Sequence, residues 1–187
     1  MQLNESVISV REITKDDIEP LINYWTSADD AFLTGMGVDL NKMPDKDAWQ
    51  QILSEQLNQP YNEKKSYCII WRVNGKPIGH SNVNKIIFGE EAYMHLHIWN
   101  EATRQKGNGL KLIHMTLPYF FENLELKKIY CEPYAHNPAP NKTLAKAGFL
   151  FVKKYTTTPG YLNFEQEVNQ WLMTREKIHH PCIKKDL

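Results

Sequence analysis

Arg104-Gln105-Lys106-Gly107-Asn108-Gly109 decides how the chain is read. A strand-like run, residues 93–99, precedes it, and a helix-like run, residues 110–121, follows. The two glycines therefore sit where a strand hands the chain to a helix. A helix start presents N–H groups without intrahelical partners and the positive end of the dipole. Glycine lets another molecule approach that backbone closely. Together these make a seat for a phosphate or pyrophosphate. Two phosphate motifs are excluded. A Walker loop needs a longer glycine spacing ending in Gly-Lys-Ser/Thr. The dinucleotide fingerprint needs a third glycine where Leu112 stands, and it sits in the first βα unit of its fold.

Upstream, residues 8–13 read as a strand and Thr14 as the N-cap of a helix over 18–25, with Pro20 in its first turns. Residues 28–43 show no periodicity and read as an irregular packed connection. Pro44-Asp45 opens a helix over 46–57. Strands are expected at 66–73, 77–88 and 91–99, turned by Asn74-Gly75 and by Gly89-Glu90. Downstream of the motif, Pro118 should kink or shorten the helix. A strand at 127–134, a helix at 137–147 capped by Gly148, and strands at 149–155 and 164–173 follow. The order mixes a meander with βα units. It predicts an α+β fold: a mixed, largely antiparallel sheet of about seven strands with about four helices. One domain is expected over 1–174, followed by a loose polar tail over 175–187.

With 22 Lys+Arg against 22 Asp+Glu among 187 residues, the chain carries no electrostatic footprint for nucleic acid or an anionic membrane. No apolar run is long enough to cross a bilayer, and the N-terminus lacks signal-peptide features. Cys68, Cys131 and Cys182 are scattered and read as reduced thiols of a cytoplasmic protein, with no metal site expected.

Order and motifs together resemble the GNAT superfamily of acetyl-CoA-dependent N-acetyltransferases. Arg104 to Gly109 fits its Arg/Gln-x-x-Gly-x-Gly/Ala signature after the fourth strand. Asn137, followed eleven residues later by Gly148-Phe149, resembles the members that acetylate ribosomal-protein N-termini and their small-molecule relatives. The resemblance spans residues 10–173. It implies acetyl-CoA as co-substrate, with its pyrophosphate on Gln105, Gly107, Asn108, Gly109 and Leu110, and added charge or simple solvation for Arg104 and Lys106. It places the pantetheine arm and thioester along the backbone of His97, Ile98 and Trp99. Asn137 contacts the arm or caps the following helix, roles that do not exclude each other.

An amine attacking a thioester must first lose a proton, which calls for a base. The resemblance offers two. Glu132, five residues before Asn137, matches the glutamate of the N-terminal-alanine acetylating members. His95 matches a histidine of the arylalkylamine-acetylating members. Along the strand Tyr93, His95, His97 and Trp99 share one side, a cleft lining, and Met94, Leu96 and Ile98 the other, a core. The bland alternatives are a salt-bridged carboxylate and an imidazole satisfied on the sheet. The acid of related members is absent: Leu144 and Pro140 occupy its two usual places, leaving Tyr134 or an unassisted thiolate.

The expected reaction is acetyl transfer to a primary amine of a protein N-terminus, an amino acid or a small molecule. The alternative is a non-catalytic CoA-binding module of the same fold. No acidic cluster points to a polycationic acceptor. Residues 35–43 and 156–163 are the expected seat of acceptor selectivity, and the assembly is a monomer or homodimer.

Overall fold

The computed structural model describes residues 6–99 and 107–179. Arg104, Gln105, Lys106 and Cys182 lie outside them. Seven strands form one sheet, in the order β1 (Ile8–Glu12), β2 (Tyr67–Val73), β3 (Lys76–Ile87), β4 (Glu91–Ile98), β5 (Lys128–Cys131), β7 (Gln166–Thr174), β6 (Leu150–Thr157). Only β4 and β5 run parallel. The β2–β3 hairpin turns on Asn74 and Gly75 at φ 50° and 77°, the left-handed pair a two-residue turn demands. None of the helices in the described residues is long and apolar enough to cross a membrane.

The pleat sorts the sheet into two faces. One carries Tyr67, Ile69, Trp71, Val83, Met94 and Ile129, all buried. It packs against α4 (Asn108–Asn123), whose Leu112, Ile113, Leu117, Phe120 and Phe121 are at most 2% exposed. The Trp71 indole donates to Thr116 Oγ1 at 2.8 Å inside this core. Pro118 neither ends nor shortens α4, which runs 16 residues through it. The carbonyl that Pro118 leaves without its helical donor belongs to His114, an exposed residue, on the side of the helix open to solvent.

The other face, with Cys68, Ile70 and His80, lies under α1 (Ile18–Thr26) and α3 (Lys46–Asn58). Thr14 and Asp17 form a capping box at the start of α1. The stretch read as irregular contains α2 (Asp30–Gly35), capped by Asp29, whose Oδ1 accepts from the N–H of Ala31 at 2.9 Å. The stretch read as a loose tail begins with α6 (Arg175–His179). There Arg175 Nε donates to the Leu126 carbonyl at 2.8 Å, so backbone capture holds a segment whose composition is polar. The fifth strand ends at Cys131 rather than Tyr134: Pro133 has no N–H to give a ladder, and Tyr134 rejoins only through an isolated bridge to Val168. The remaining helix, α5 (Pro138–Lys146), packs beside α4.

Candidate active site

The parallel ladder between β4 and β5 joins only Glu91–Tyr93 to Lys128–Tyr130. Beyond it the strands part, β4 staying with β3 and β5 with β7. A cavity of about 660 Å³ fills the opening and reaches Met94 and Leu96 on one side, Cys131 and Glu132 on the other, and Asn137 and Pro140 below. Register decides which backbone groups look into it. The N–H of Trp99 donates to the Ile78 carbonyl at 2.9 Å. In an antiparallel pair every second residue points the same way, so the N–H groups of His97 and His95 also face β3. Those of Met94, Leu96 and Ile98 face the opening. Of the three backbone positions expected to meet the thioester, His97 and Trp99 thus turn their N–H groups into the ladder. Ile98 does not, and Leu96 joins it.

Below the opening α4 begins. Gly107 caps it at φ 71°, left-handed, as an inserted turn before a helix requires. The first N–H groups of the helix, on Asn108, Gly109 and Leu110, have no intrahelical acceptor. Among the described residues, a side chain at Gly107 would meet nothing within 4 Å, and one at Gly109 only Thr143 Cγ2 at 3.9 Å. Gly109 has no positive φ and, among the described residues, no neighbour that forbids a methyl. Protein packing does not ask for glycine there, whereas a pyrophosphate on the helix start does. The residues present therefore fit the diphosphate of a CoA. Asn137 caps α5 in fact, its Oδ1 accepting from the Ala139 N–H at 3.3 Å. Asn141, not singled out from the sequence, fixes this corner: it donates to the carbonyls of Tyr134 and Asn137 and accepts from Asn169 Nδ2 and Trp171 Nε1, both at 2.9 Å.

Glu132 stands at the opening, just past the end of β5, and is 8% exposed. Its Oε1 accepts from the Tyr155 hydroxyl and from Gln170 Nε2 at 2.7 Å. No donor among the described residues reaches Oε2. Burial, reinforced by the Glu132 carboxylate, pushes the Tyr155 hydroxyl well above its ordinary range, so it stays a donor. Tyr134 borders the same cavity, its ring edge-on to His136 and Phe164.

The histidines divide. His95 borders the cavity with Nε2 buried and unpartnered among the described residues. Burial, with Lys85 nearby, pushes its imidazole down to about 4, so it is neutral at pH 7. His97 instead stacks on His80 at 4.7 Å and meets the Tyr24 hydroxyl through Nδ1 at 3.3 Å. His80 Nδ1 accepts from the Trp99 indole at 2.7 Å, which places its proton on Nε2. His80 could not be singled out from the sequence, since only the β3–β4 register sets it opposite His97. Over the cavity the two segments expected to select the acceptor meet: Val38 bridges Asn163, and the Asp39 N–H donates to the Leu162 carbonyl at 2.8 Å.

A sheet that opens between a parallel pair, above a glycine-capped helix start and beside a buried carboxylate, is the architecture of an acyl-CoA-dependent transferase. The family model for the acetyltransferase (GNAT) domain matches residues 8–150, and the chain belongs to that family of acetyl-CoA-dependent N-acetyltransferases. Among solved structures, it superposes on the spermidine N-acetyltransferase of Vibrio cholerae in complex with CoA and spermine, with a TM-score of 0.74 at 16% identity, covering 92% of this chain and 98% of that one. The same enzyme with manganese ions gives 0.71 at 16% identity, over 94% and 96%. An uncharacterised protein from Bacillus halodurans gives 0.69 at 16% identity, over 95% and 89%. At this identity the likeness shows the fold. Among curated protein sequences none matches.

Proposed function

We propose that this acetyltransferase moves the acetyl group of acetyl-CoA onto a primary amine by direct attack, with Glu132 as general base. The observation that carries this reading is the placement of Glu132: buried at the strand opening, anchored through Oε1, with Oε2 left to a proton donor. The amine nitrogen bonds to the thioester carbon, its proton passes to Glu132, the C–S bond breaks, and CoA leaves as the thiolate. The N–H of Leu96, aimed into the opening, steadies the carbonyl oxygen as charge builds on it. Gly107, Asn108, Gly109 and Leu110 hold the pyrophosphate, and Asn137 borders the arm. The thiolate is a good leaving group, and the hydroxyl of Tyr134, which lines the cavity, is the candidate to return a proton. That the Vibrio cholerae enzyme was crystallised with CoA and spermine supports an amine as acceptor.

The base is tested by Glu132→Gln and His95→Gln in a thiol-release assay. The first should lower kcat by about 10²–10³ with acetyl-CoA affinity unchanged. The second should act mainly on acceptor KM. The reverse pattern would make His95 the base.

A further inference from the structure

The wall of the cavity carries four buried side-chain atoms without a partner among the described residues: Trp49 Nε1, Asn84 Oδ1, His95 Nε2 and Gln166 Oε1. Buried polar groups are normally paired, so orphans along the lining of one cavity mark where water or a ligand supplies the missing partners. Two of them belong together. The point where a side chain on Gly160 would begin lies 3.7 Å from Asn84 Nδ2 and 3.8 Å from His95 Cε1. Gly160 thus roofs Asn84 and His95 as one seat, beneath the loop that closes the chamber.

Charge limits what can sit there. The lining holds three carboxylates, Glu12, Glu55 and Glu132, and three ammonium groups, Lys64, Lys65 and Lys85. Three against three leaves no net negative field to draw in a polycation. Lys85 is placed deliberately: it occupies the bulge between Asn84 and Ile87 at φ 47°, and its Nζ lies 5.0 Å over the Tyr93 ring. A second ammonium on the acceptor would meet that cation. Trp25 and Trp49, stacked at 5.8 Å, give the rest of the chamber an apolar, aromatic wall.

The roof limits size. The Gly37 carbonyl accepts from Asn163 Nδ2 at 2.9 Å, from Gln166 Nε2 at 3.0 Å and from the Phe164 N–H at 3.3 Å. Lys42 Nζ donates to the Asn163 carbonyl at 2.7 Å. Gly37 stands at φ 84°, and a side chain there would begin 2.1 Å from Gln166 Oε1, so the latch requires glycine. An extended peptide is held by backbone groups of its groove; here the Gly37, Leu162 and Asn163 carbonyls and the Asp39 and Phe164 N–H groups are spent on bonds between the two loops.

We infer that the acceptor is a small free amine with a single positive charge and an apolar or aromatic body, seated by Asn84 and His95, and neither a polyamine nor a protein N-terminus. Asn84 Oδ1 and the neutral His95 Nε2 accept two N–H groups of the amine; Glu132 takes its third proton, which frees the lone pair, and the proton lost after the C–N bond forms passes to the departing thiolate. This rests on the acetyl-transfer reading above.

The test compares 2-phenylethylamine, spermidine and an alanine-led peptide as acceptors, with acetyl-CoA binding followed separately by calorimetry. The monoamine should show kcat/KM at least about tenfold above the other two. Asn84→Ala should raise its KM about tenfold, the loss of one hydrogen bond, at unchanged acetyl-CoA Kd. Asn84→Asp should shift preference toward spermidine. Gly160→Ala, whose methyl would start 2.9 Å from Asn163 Oδ1, should raise the same KM from the opposite wall. Spermidine or peptide matching the monoamine while acetyl-CoA still binds overturns the inference, as does an unchanged acceptor KM in both Asn84→Ala and Gly160→Ala. Loss of acetyl-CoA binding by the unaltered protein overturns instead the transfer reading beneath it.

Discussion

Three imidazoles on one face of the sheet are held neutral, and this fixes how single residues couple the fold to pH. His80, 2% exposed, is pushed down to about 3 by burial and then by His95. His95 falls to about 4, and His97 lies well below its ordinary value, each chiefly through burial. In the unfolded chain each takes up a proton near pH 6.5. Between that value and the folded one, the unfolded state holds more protons. Stability is therefore complete above pH 6.5 and falls as the medium is acidified, by about 1.4 kcal/mol per pH unit for each histidine. Urea titrations at pH 7.5 and 5.5 should show this loss, and His80→Gln should remove about one proton of the slope. Equal stability of the unaltered protein at the two values would mean that the rings are not buried neutral. The side of β4 that carries His95 and His97 was legible, because strand alternation is a local rule. His80 and Lys85 were not. One needs the cross-strand register, the other a left-handed bulge that nothing in Asn84-Lys85-Ile86 announces. Glu132 was offered by the family resemblance as one of two candidate bases, but its anchors, 23 and 38 residues further along the chain, could not be read there.

At the scale of elements, the start of α4 carries the motif from which the chain was read, and local backbone and packing separate its two glycines. Gly107 is glycine because φ is 71° there, a need of the backbone itself. Gly109 has no such need: its φ is not positive, and among the described residues a side chain there would meet only Thr143 Cγ2 at 3.9 Å. The two glycines should thus part company under mutation. Gly109→Val should leave the melting temperature within a few degrees of the parent, since valine is no poorer a helix former than the glycine it replaces. It should weaken acetyl-CoA binding by tenfold or more in calorimetry, because the branch occupies the approach to the helix N–H groups. Undiminished affinity in the folded variant would make the motif a turn and nothing else. The elements that escaped the sequence are short. α2 has a readable cap in Asp29, but six residues offer too little periodicity, and Gly35 and Gly37 mask it. α6 has no apolar stripe; tertiary hydrogen bonds from Arg175 hold it. Pro118 misled in the other direction, since a helix buried along one stripe survives a lost bond on its wet side.

Across the whole molecule, one sheet separates two jobs. The α4 face is a core and carries the proposed cofactor seat at its edge, while the opposite face, with its histidines, walls the proposed reaction chamber under α1, α3 and the latched loops. The opening between β4 and β5 is the passage between them. A ligand that spans it binds the folded state alone, because neither the helix start nor the opening exists in the unfolded chain. Acetyl-CoA at one hundred times its Kd should then stabilise the protein by about 2.7 kcal/mol. For a chain of 187 residues that converts to a rise in melting temperature of about 5–10 °C. NADH carries a pyrophosphate too, yet it lacks the arm that threads the opening, so it should give no saturable shift. If NADH stabilises as well as acetyl-CoA does, the helix start is a general phosphate seat and the opening adds nothing to recognition. A shift with acetyl-CoA alone ties affinity to the splay of the two strands, the one feature that needs every element of the sheet in place.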